Sequence, residues 1–522
     1  MPQPRRTAPA PRPIFKPRNV VMLAALLLFA ARLAYLQWLS PYGLAPDEAQ
    51  YWSWLMHPAA SYLTKPPLTT WLMGLSTGML GHTLIGVKIF AIASQSFCAV
   101  LGFLIAEKLA QTAQFKTPHI AGYWAFALLA TTPILAAGGL IMSPDALLLP
   151  LWLTATLLAI HLTHTHSTKL SHWLLLGLII GLAGLAKYTA ALFFPLFALY
   201  FIIQNKHLVY PLTRASVNPL IRLPILPFLA AGTLALALQT PVIWWNATHG
   251  AAGLAHVAWQ TDGGGDTRHG GLLTLLDFLA AQALIIGPLA FPLAIAALIQ
   301  LRHTIRKNPS WLLLATLALP IFLLFTAMNL LSKVQPNWPL LGSIPLLLFL
   351  ALFLAQNQRK WLHRTAIAAL MLNTILSVML MDTNTFRAAG LLPLKAKLNP
   401  TKDLLGWPEL APQLQQTLAQ MPPETLVLST RYQTFAPLLF HAQPANAAYL
   451  NLESRRPTHY DLWPQPNLQA QPVLYVSENP HLSTAVSSQF QSCTPQPSLQ
   501  AQNRSNPTES TRSLHLWYCT SP

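Results

Sequence analysis

The fold class follows from a stretch near the start of the chain, residues 19–40, which reads NVVMLAALLLFAARLAYLQWLS. This almost uninterrupted apolar run has the length, about 20 residues, that a helix needs to cross a bilayer. Similar runs follow along the chain, in which 53% of the residues are hydrophobic. Because the runs are continuous rather than alternating, they indicate helices and not barrel strands. The sequence therefore predicts an all-α polytopic membrane bundle.

The bundle is predicted to occupy residues 19–381, with about eleven spans of bilayer-crossing length. These runs cover residues 19–40, 83–106, 120–137, 146–163, 172–187, 189–204, 223–244, 273–300, 311–331, 338–355 and 365–381. Lysine and arginine concentrate in residues 1–18 and in every second loop, which places these segments in the cytoplasm by the positive-inside rule. The formal net charge of +17 therefore reflects topology and does not indicate a nucleic-acid partner. Residues 41–82 become the first outer loop.

A second domain is predicted for residues 382–522, where long apolar runs stop and Gln, Pro, Ser and Asn become frequent. Short β-like segments at residues 425–428, 473–476 and 513–518 indicate a small α/β fold. An odd number of spans after a cytoplasmic N-terminus places this domain in the periplasm. Cys493 and Cys519 both lie in it, so either a disulfide or two unpaired buried thiols are compatible with the sequence.

The adjacent carboxylates Asp47 and Glu48 directly follow the first span, in a chain with only 9% charged residues. Carboxylates at a membrane surface are unfavourable unless they serve a function, so the pair predicts a site. A structural alternative is that Asp47 caps a helix, with Gln50 three residues later. The aromatic residues that follow would then suit an amphipathic helix lying in the membrane interface.

Further polar residues are predicted at the same outer face of the bundle, as expected of a cavity there. They are Lys65, Asp145, Lys187, Arg268, His269, Lys333 and Asn337. For Lys187, Lys333 and Arg268, the alternative is snorkelling of a long side chain to the interface. For Asn337, the alternative is the start of a helix in the aromatic belt.

Carboxylates beside cations at this depth suit glycosyl transfer from a polyprenyl-phosphate sugar. A carboxylate takes the proton of the attacking hydroxyl, and fixed cations stabilise the departing phosphate. The chain has no nucleotide-binding motif beside a strand. The rival prediction is a transporter or flippase of amphiphiles. Such proteins often contain repeats with matching broken spans, and the sequence shows no such symmetry.

Several motifs resemble those of the dolichyl-phosphate-mannose protein mannosyltransferase-like enzymes, the C-type glycosyltransferase superfamily that includes bacterial lipid A aminoarabinose transferases. In the first outer loop they are Asp47-Glu48-Ala49-Gln50-Tyr51-Trp52 and Lys65-Pro66-Pro67-Leu68. Further along they are Ser143-Pro144-Asp145, Leu185-Ala186-Lys187-Tyr188-Thr189, Pro241-Val242-Ile243-Trp244-Trp245-Asn246, Gln335-Pro336-Asn337-Trp338-Pro339, Gly406-Trp407 and Tyr460-Asp461-Leu462-Trp463. In one departure, the bacterial branch often has a histidine where this chain has Lys65.

The resemblance implies a role for each matching residue in an inverting transfer at the periplasmic face of a bacterial inner membrane. Asp47 would be the general base or orient the acceptor, Glu48 would support it or cap the helix, and Asp145 would be a second carboxylate near the acceptor. Lys65 would contact the donor phosphate, assisted by the other outer cations, Lys187, Arg268, His269 and Lys333. The implied partners are a polyprenyl-phosphate (undecaprenyl-phosphate) sugar donor and an envelope lipid or glycan acceptor, with a protein acceptor as the alternative. Some relatives use a divalent metal, but the sequence demands none.

Overall fold

The structure is a computed structural model that describes residues 16–204, 224–261, 271–332, 334–395, 398–503 and 506–520. Its α-helices are α1 Pro17–Trp38, α2 Pro46–Ser53, α3 Leu68–Leu80, α4 Leu84–Thr112, α5 Pro118–Thr131, α6 Pro133–Gly138, α7 Pro144–His164, α8 Leu170–Ala186, α9 Phe193–Gln204, α10 Ile225–Ala237, α11 Thr240–Thr248, α12 Ala252–Thr261, α13 Leu272–Ile286, α14 Ala290–Lys307, α15 Pro309–Asn329, α16 Leu340–Gln356, α17 Lys360–Met381, α18 Thr383–Ala388, α19 Trp407–Leu418, α20 Tyr432–His441 and α21 Thr484–Ser487. Short 3-10 helices cover Trp54–Met56, Tyr188–Leu192, Lys402–Leu404 and His459–Leu462.

Local sequence fixes where several long helices begin. The Asn308 side chain accepts hydrogen bonds from the backbone N–H groups of Ser310 and Trp311, and Pro309 occupies the first position of α15. Thr83 caps α4 in the same way, accepting from Gly86 N. These caps satisfy N–H groups that have no partner within the helix, and proline at the first position has no N–H to satisfy.

Among the described residues, five helices are long and apolar enough to cross a membrane, namely α1, α4, α7, α15 and α17. Two bent pairs raise this number to seven if each pair is one span: α10 with α11, bent by 46°, and α13 with α14, bent by 100°. The helix α8, the segment Tyr188–Gln204 and the helix α16 are shorter apolar helices. A helical bundle with at least five apolar spans is therefore confirmed.

The break between α13 and α14 contradicts the prediction of one continuous span over residues 273–300. Gly287 has a φ of 127°, and the side-chain amide of Asn373 fills the space where a Cβ would lie. Asn373 Nδ2 also donates to Ile286 O at 3.1 Å, which satisfies a carbonyl at the end of α13. The chain turns here because only glycine combines this backbone conformation with such a close neighbour.

The C-terminal domain contains the small sheet that the sequence predicts. Its strands are β1 Leu426–Ser429, β2 Ala447–Tyr449, β3 Val473–Ser477, β4 Ser492–Asn503 and β5 Asn506–Thr520, in the order β2-β1-β3-β5-β4. The first three are parallel, and β5 runs antiparallel to both β3 and β4. Cys493 and Cys519 face each other on β4 and β5 and form a disulfide.

The sequence did not predict β2 and β4. β2 has only three residues, and β4 contains Pro495 and Pro497 among polar residues. Prolines are tolerated in β4 because it lies at the edge of the sheet, and its register shifts between Gln496 and Leu499. Tertiary pairing thus overrides a sequence that reads as a loop.

The C-terminal domain packs directly on the segment between α1 and α4. Leu44 N donates to His441 Nε2 at 3.2 Å, and Ser53 Oγ lies 2.6 Å from Tyr460 Oη. Burial lowers the pKa of His441 to about 3, with a smaller contribution from the charge of Lys88, so the ring is neutral and accepts. Gly43 allows this contact, because a Cβ there would lie 2.6 Å from His441 Nε2.

The aromatic residues of α2 and of the 3-10 helix that follows it lie at the interface between the two domains. Tyr51, Trp52 and Trp54 are at most 5% exposed and pack in one core with Phe435, Phe440 and Tyr460 of the C-terminal domain. The alternative of an amphipathic helix in the membrane interface is therefore wrong. The C-terminal domain covers the aromatic residues that this alternative placed in the membrane interface.

Candidate active site

The helix α2 carries Asp47 to the junction of the two domains. It begins two residues earlier than the capping pattern predicted, because Pro46 occupies its first position and the cap is Ala45. Glu48, not Gln50, completes the turn by accepting from Ala45 N at 3.2 Å. The alternative in which Asp47 caps the helix is therefore wrong, and its carboxylate is available for another role.

Asp47 is exposed and has a single described hydrogen-bond partner, in the C-terminal domain. Tyr432 Oη donates to Asp47 Oδ1 at 2.9 Å. Burial and the neighbouring charge of Asp47 raise the pKa of Tyr432, so the phenol stays protonated and donates. Within the described residues, Asp47 Oδ2 accepts no hydrogen bond. The carboxylate is thus held through one oxygen and open at the other.

Glu48 has a different environment from its neighbour. It is fully buried, pairs with Lys88 Nζ of α4, and accepts from Met142 N at 2.7 Å. Lys88 also donates to Leu140 O at 3.0 Å. This pair ties α2 to α4 and to the segment that leads into α7. Sequence reasoning missed Lys88, although an ionisable residue within a predicted span is itself a signal.

Asp145 brings three predicted residues together. It lies in the first turn of α7, where its Oδ1 is 2.7 Å from Lys187 Nζ at the end of α8. Its Oδ2 accepts from Asn337 Nδ2 at 2.8 Å, just before α16. Both side chains of the ion pair stay partly accessible, at 18% for Lys187 and 17% for Asp145. Both oxygens are engaged, so this carboxylate positions a lysine and an amide.

A cleft adjoins this group. It has a cavity volume of about 90 Å³ and is lined by Asp145, Asn337, Ser143 and Gln95 together with apolar side chains of α4, α6 and α7. The cleft lies near the segment between α1 and α4, because Met142 N, next to the lining residue Ser143, donates to Glu48. A mostly apolar pocket with a few convergent polar groups suits a lipid-linked ligand.

Lys65 completes the charged cluster. It is half-buried in the loop before α3, and its carbonyl accepts from Tyr62 N at 3.2 Å. Burial, followed by the like charge of Lys187, lowers the pKa of Lys65. The charges of Asp47 and Asp145 act on the same group in the opposite direction. Two lysines and two carboxylates therefore share one electrostatic environment, as the sequence placed them.

Three predicted site residues lie outside the described residues, namely Arg268, His269 and Lys333. Within the described part of the chain, no group of three His, Cys, Asp or Glu side chains could hold a metal ion. Sequence reasoning also missed Tyr432. This residue belongs to the C-terminal domain, and no local sequence pattern predicts that this domain packs on α2.

The match to a known family covers the centre of this site. Residues 64–245 match the family described as dolichyl-phosphate-mannose-protein mannosyltransferase. This segment includes Lys65, Asp145 and Lys187, three of the charged residues brought together in the structure.

Curated relatives are similar over parts of the chain. The lipid A galacturonosyltransferase RgtD of Rhizobium johnstonii is 30% identical over 300 residues, which cover 56% of this chain and 56% of the relative. An undecaprenyl phosphate-alpha-4-amino-4-deoxy-L-arabinose arabinosyl transferase 1 of Pseudomonas fluorescens is 27% identical over 237 residues, 42% of this chain and 41% of the relative. The chain thus spans about half the length of these two relatives.

The fold is similar to that of a solved structure along nearly the whole chain. The crystal structure of ArnT from Cupriavidus metallidurans bound to undecaprenyl phosphate has a TM-score of 0.63, and the match covers 96% of this chain and 97% of that one. The identity is 13%, so this similarity shows the fold alone. The family resemblance seen in the sequence is confirmed over residues 64–245, the segment that matches the dolichyl-phosphate-mannose-protein mannosyltransferase family.

Proposed function

We propose that the protein is an inverting glycosyltransferase that moves a sugar from a polyprenyl-phosphate donor to an envelope lipid or glycan. The observation that carries the proposal is the carboxylate of Asp47, exposed and open at Oδ2, in the same charged cluster as Lys65 and Lys187. The names of the relatives, a lipid A galacturonosyltransferase and an undecaprenyl phosphate-alpha-4-amino-4-deoxy-L-arabinose arabinosyl transferase, support the same donor and acceptor classes.

The reaction would proceed in one displacement. The acceptor hydroxyl attacks the anomeric carbon of the sugar while Asp47 takes its proton. The bond between that carbon and the phosphate oxygen breaks, and polyprenyl phosphate leaves with the electron pair. Lys65 would stabilise the charge that develops on the phosphate, and Lys187 would do so from its fixed position beside Asp145.

The other predicted residues would act on these groups rather than on the substrate. Glu48 would position α2 and the segment before α7 through its buried contacts with Lys88 and Met142 N. Asp145 and Asn337 would orient Lys187. Arg268, His269 and Lys333 stay proposed contacts to the donor phosphate on the ground of the sequence alone.

The proposed topology places the site and the C-terminal domain in the periplasm of a bacterial inner membrane. The chain would cross the membrane eleven times if α14 spans the bilayer and α13 lies parallel to the membrane plane. The 100° bend between the two helices supports this count. Asp47, Lys65, Asp145 and Lys187 would then share one face. A reporter fused after Gly390 should be active only outside the cytoplasm, and activity only inside it would overturn this arrangement.

The test of function is transfer by the purified protein. It would be incubated with labelled polyprenyl-phosphate sugars and an envelope-lipid extract, and released polyprenyl phosphate would be measured. We expect release by the wild type and a loss of at least about 100-fold for Asp47→Asn, the usual contribution of a general base. Glu424→Gln is the matched control, because Glu424 is an exposed carboxylate on the C-terminal domain.

The other outcomes separate the alternatives. Label transferred to protein instead of lipid would identify a protein O-mannosyltransferase-like enzyme. Unchanged turnover by Asp47→Asn would remove this residue from the mechanism. The absence of release with every donor, despite folded protein, would favour a transporter or flippase of amphiphiles.

A further inference from the structure

A second cationic position lies at the rim of the site, where a loop of the C-terminal domain meets α12. Arg456 is exposed, and its Cζ lies 4.4 Å from the centroid of the Trp259 ring. No carboxylate pairs with it among the described residues, whereas the adjacent Arg455 donates from Nε to Glu453 Oε2 at 2.7 Å. A guanidinium held on an aromatic face keeps its N–H groups free for a bidentate contact with a phosphate.

A buried histidine lies on the same aromatic ring. His256 is 6% exposed, and its ring lies 6.0 Å from that of Trp259 at an interplanar angle of 23°. Its Nε2 is buried without a hydrogen-bond partner within the described structure. Burial lowers the pKa of His256 to about 4, with smaller contributions from the charges of Arg456 and Lys65. The ring is therefore neutral near pH 7, with one polar atom that a ligand would satisfy.

The loop that carries Arg456 is firmly placed. Asp461 Oδ2 accepts from Thr458 N at 2.6 Å, which closes the short helix beginning at His459. His459 Nδ1 accepts from Leu63 N at 3.3 Å, two residues before Lys65. The loop of the C-terminal domain is thus joined to the loop that holds Lys65, and the charge of Arg456 contributes to the lowered pKa of Lys65.

We propose that Arg456 and His256 bind a phosphate monoester on the headgroup of the acceptor lipid. The inference rests on the proposed function, because that function already assigns the single donor phosphate to Lys65 and Lys187, with Arg268, His269 and Lys333 as further contacts. A polyprenyl-phosphate donor has no second phosphate for the rim, so the rim position serves another molecule. Phosphate at the rim would orient the acceptor hydroxyl toward Asp47.

The test measures binding of the acceptor to the full-length protein without donor, so it does not depend on turnover. The probes are a glycolipid with a phosphate monoester on its sugar and the same lipid after phosphatase treatment. We expect Arg456→Ala to weaken binding of the phosphorylated lipid by about tenfold, the effect of one charged hydrogen-bonding contact. His256→Phe should produce a smaller loss. Neither change should alter binding of the dephosphorylated lipid.

The matched control is Arg455→Ala, which removes a neighbouring arginine that already has a carboxylate partner. Equal effects of Arg455→Ala and Arg456→Ala, or equal losses for both lipids, would overturn the proposal. Weaker binding of the polyprenyl-phosphate donor to Arg456→Ala would assign the rim to the donor instead. Full competition by inorganic phosphate at matched concentration would indicate a free-phosphate site. Absence of glycosyl transfer by the wild type would refute the proposed function but leave this binding result standing.

Discussion

Two carboxylate–lysine pairs in this molecule have the same chemistry but opposite surroundings. Glu48 and Lys88 are at most 2% exposed and are fully enclosed between α2 and α4, whereas Asp145 and Lys187 are 17% and 18% exposed beside the cleft. A buried pair cannot exchange its partner for a ligand without leaving an uncompensated charge. A partly accessible pair can stay intact while its lysine contacts a phosphate. The degree of burial therefore distinguishes the structural pair, Glu48 and Lys88, from the pair that can contact a substrate, Asp145 and Lys187.

The largest expected effect comes from breaking the buried pair. Lys88→Met removes the cation and leaves Glu48 charged in a closed environment, so we expect a loss of about 3–5 kcal/mol in stability. In practice this would appear as poor yield and a lower unfolding temperature in detergent.

The double variant Glu48→Gln with Lys88→Met provides the control. The glutamine carbonyl can still accept from Met142 N or Ala45 N, and no charge remains buried. We expect the double variant to regain most of the lost stability. If it were as unstable as Lys88→Met alone, loss of side-chain packing, and not the unpaired charge, would explain the effect.

The pair at the cleft should show the opposite balance between stability and activity. Lys187→Met should lower the free energy of unfolding by less than about 1 kcal/mol, as for other partly exposed ion pairs. Transfer should fall by about tenfold to 100-fold, because a fixed cation near the departing phosphate is lost. Thermal unfolding and initial rates on the same sample would test both statements.

Asp145→Asn distinguishes a positioning role from a catalytic one at this pair. The amide can still contact Asn337 but cannot hold Lys187 by charge. We expect weaker donor binding and a loss in rate of about tenfold to 100-fold, matching Lys187→Met. A loss as deep as that of Asp47→Asn, with donor binding unchanged, would instead make Asp145 the base.

The sequence predicted what depends on composition and on short motifs. Asp145, Lys187 and Asn337 were placed at one face because each lies at the end of an apolar run, and the structure brings them into contact. It could not predict what depends on contact between distant segments. Tyr432 lies 385 residues from Asp47, and the apolar face of α2 reads equally well as a membrane surface or a domain interface. The break at Gly287 likewise depends on Asn373, which belongs to another helix.

The smallest expected effect extends the comparison to Asp47, which has a single described partner. Tyr432→Phe removes the hydroxyl that holds Oδ1 and leaves the carboxylate charged and exposed. We expect kcat to fall by about threefold to tenfold, the magnitude of one ordinary side-chain hydrogen bond, with donor affinity and unfolding temperature unchanged. Tyr475→Phe is the control, since its hydroxyl lies 3.1 Å from Thr430 Oγ1 inside the C-terminal domain. If Tyr475→Phe slowed transfer equally, the hydroxyl of Tyr432 would have no specific role. A selective fall in kcat would show that the second domain orients the base, because an exposed carboxylate with one anchor keeps its reactive oxygen in place only through that anchor.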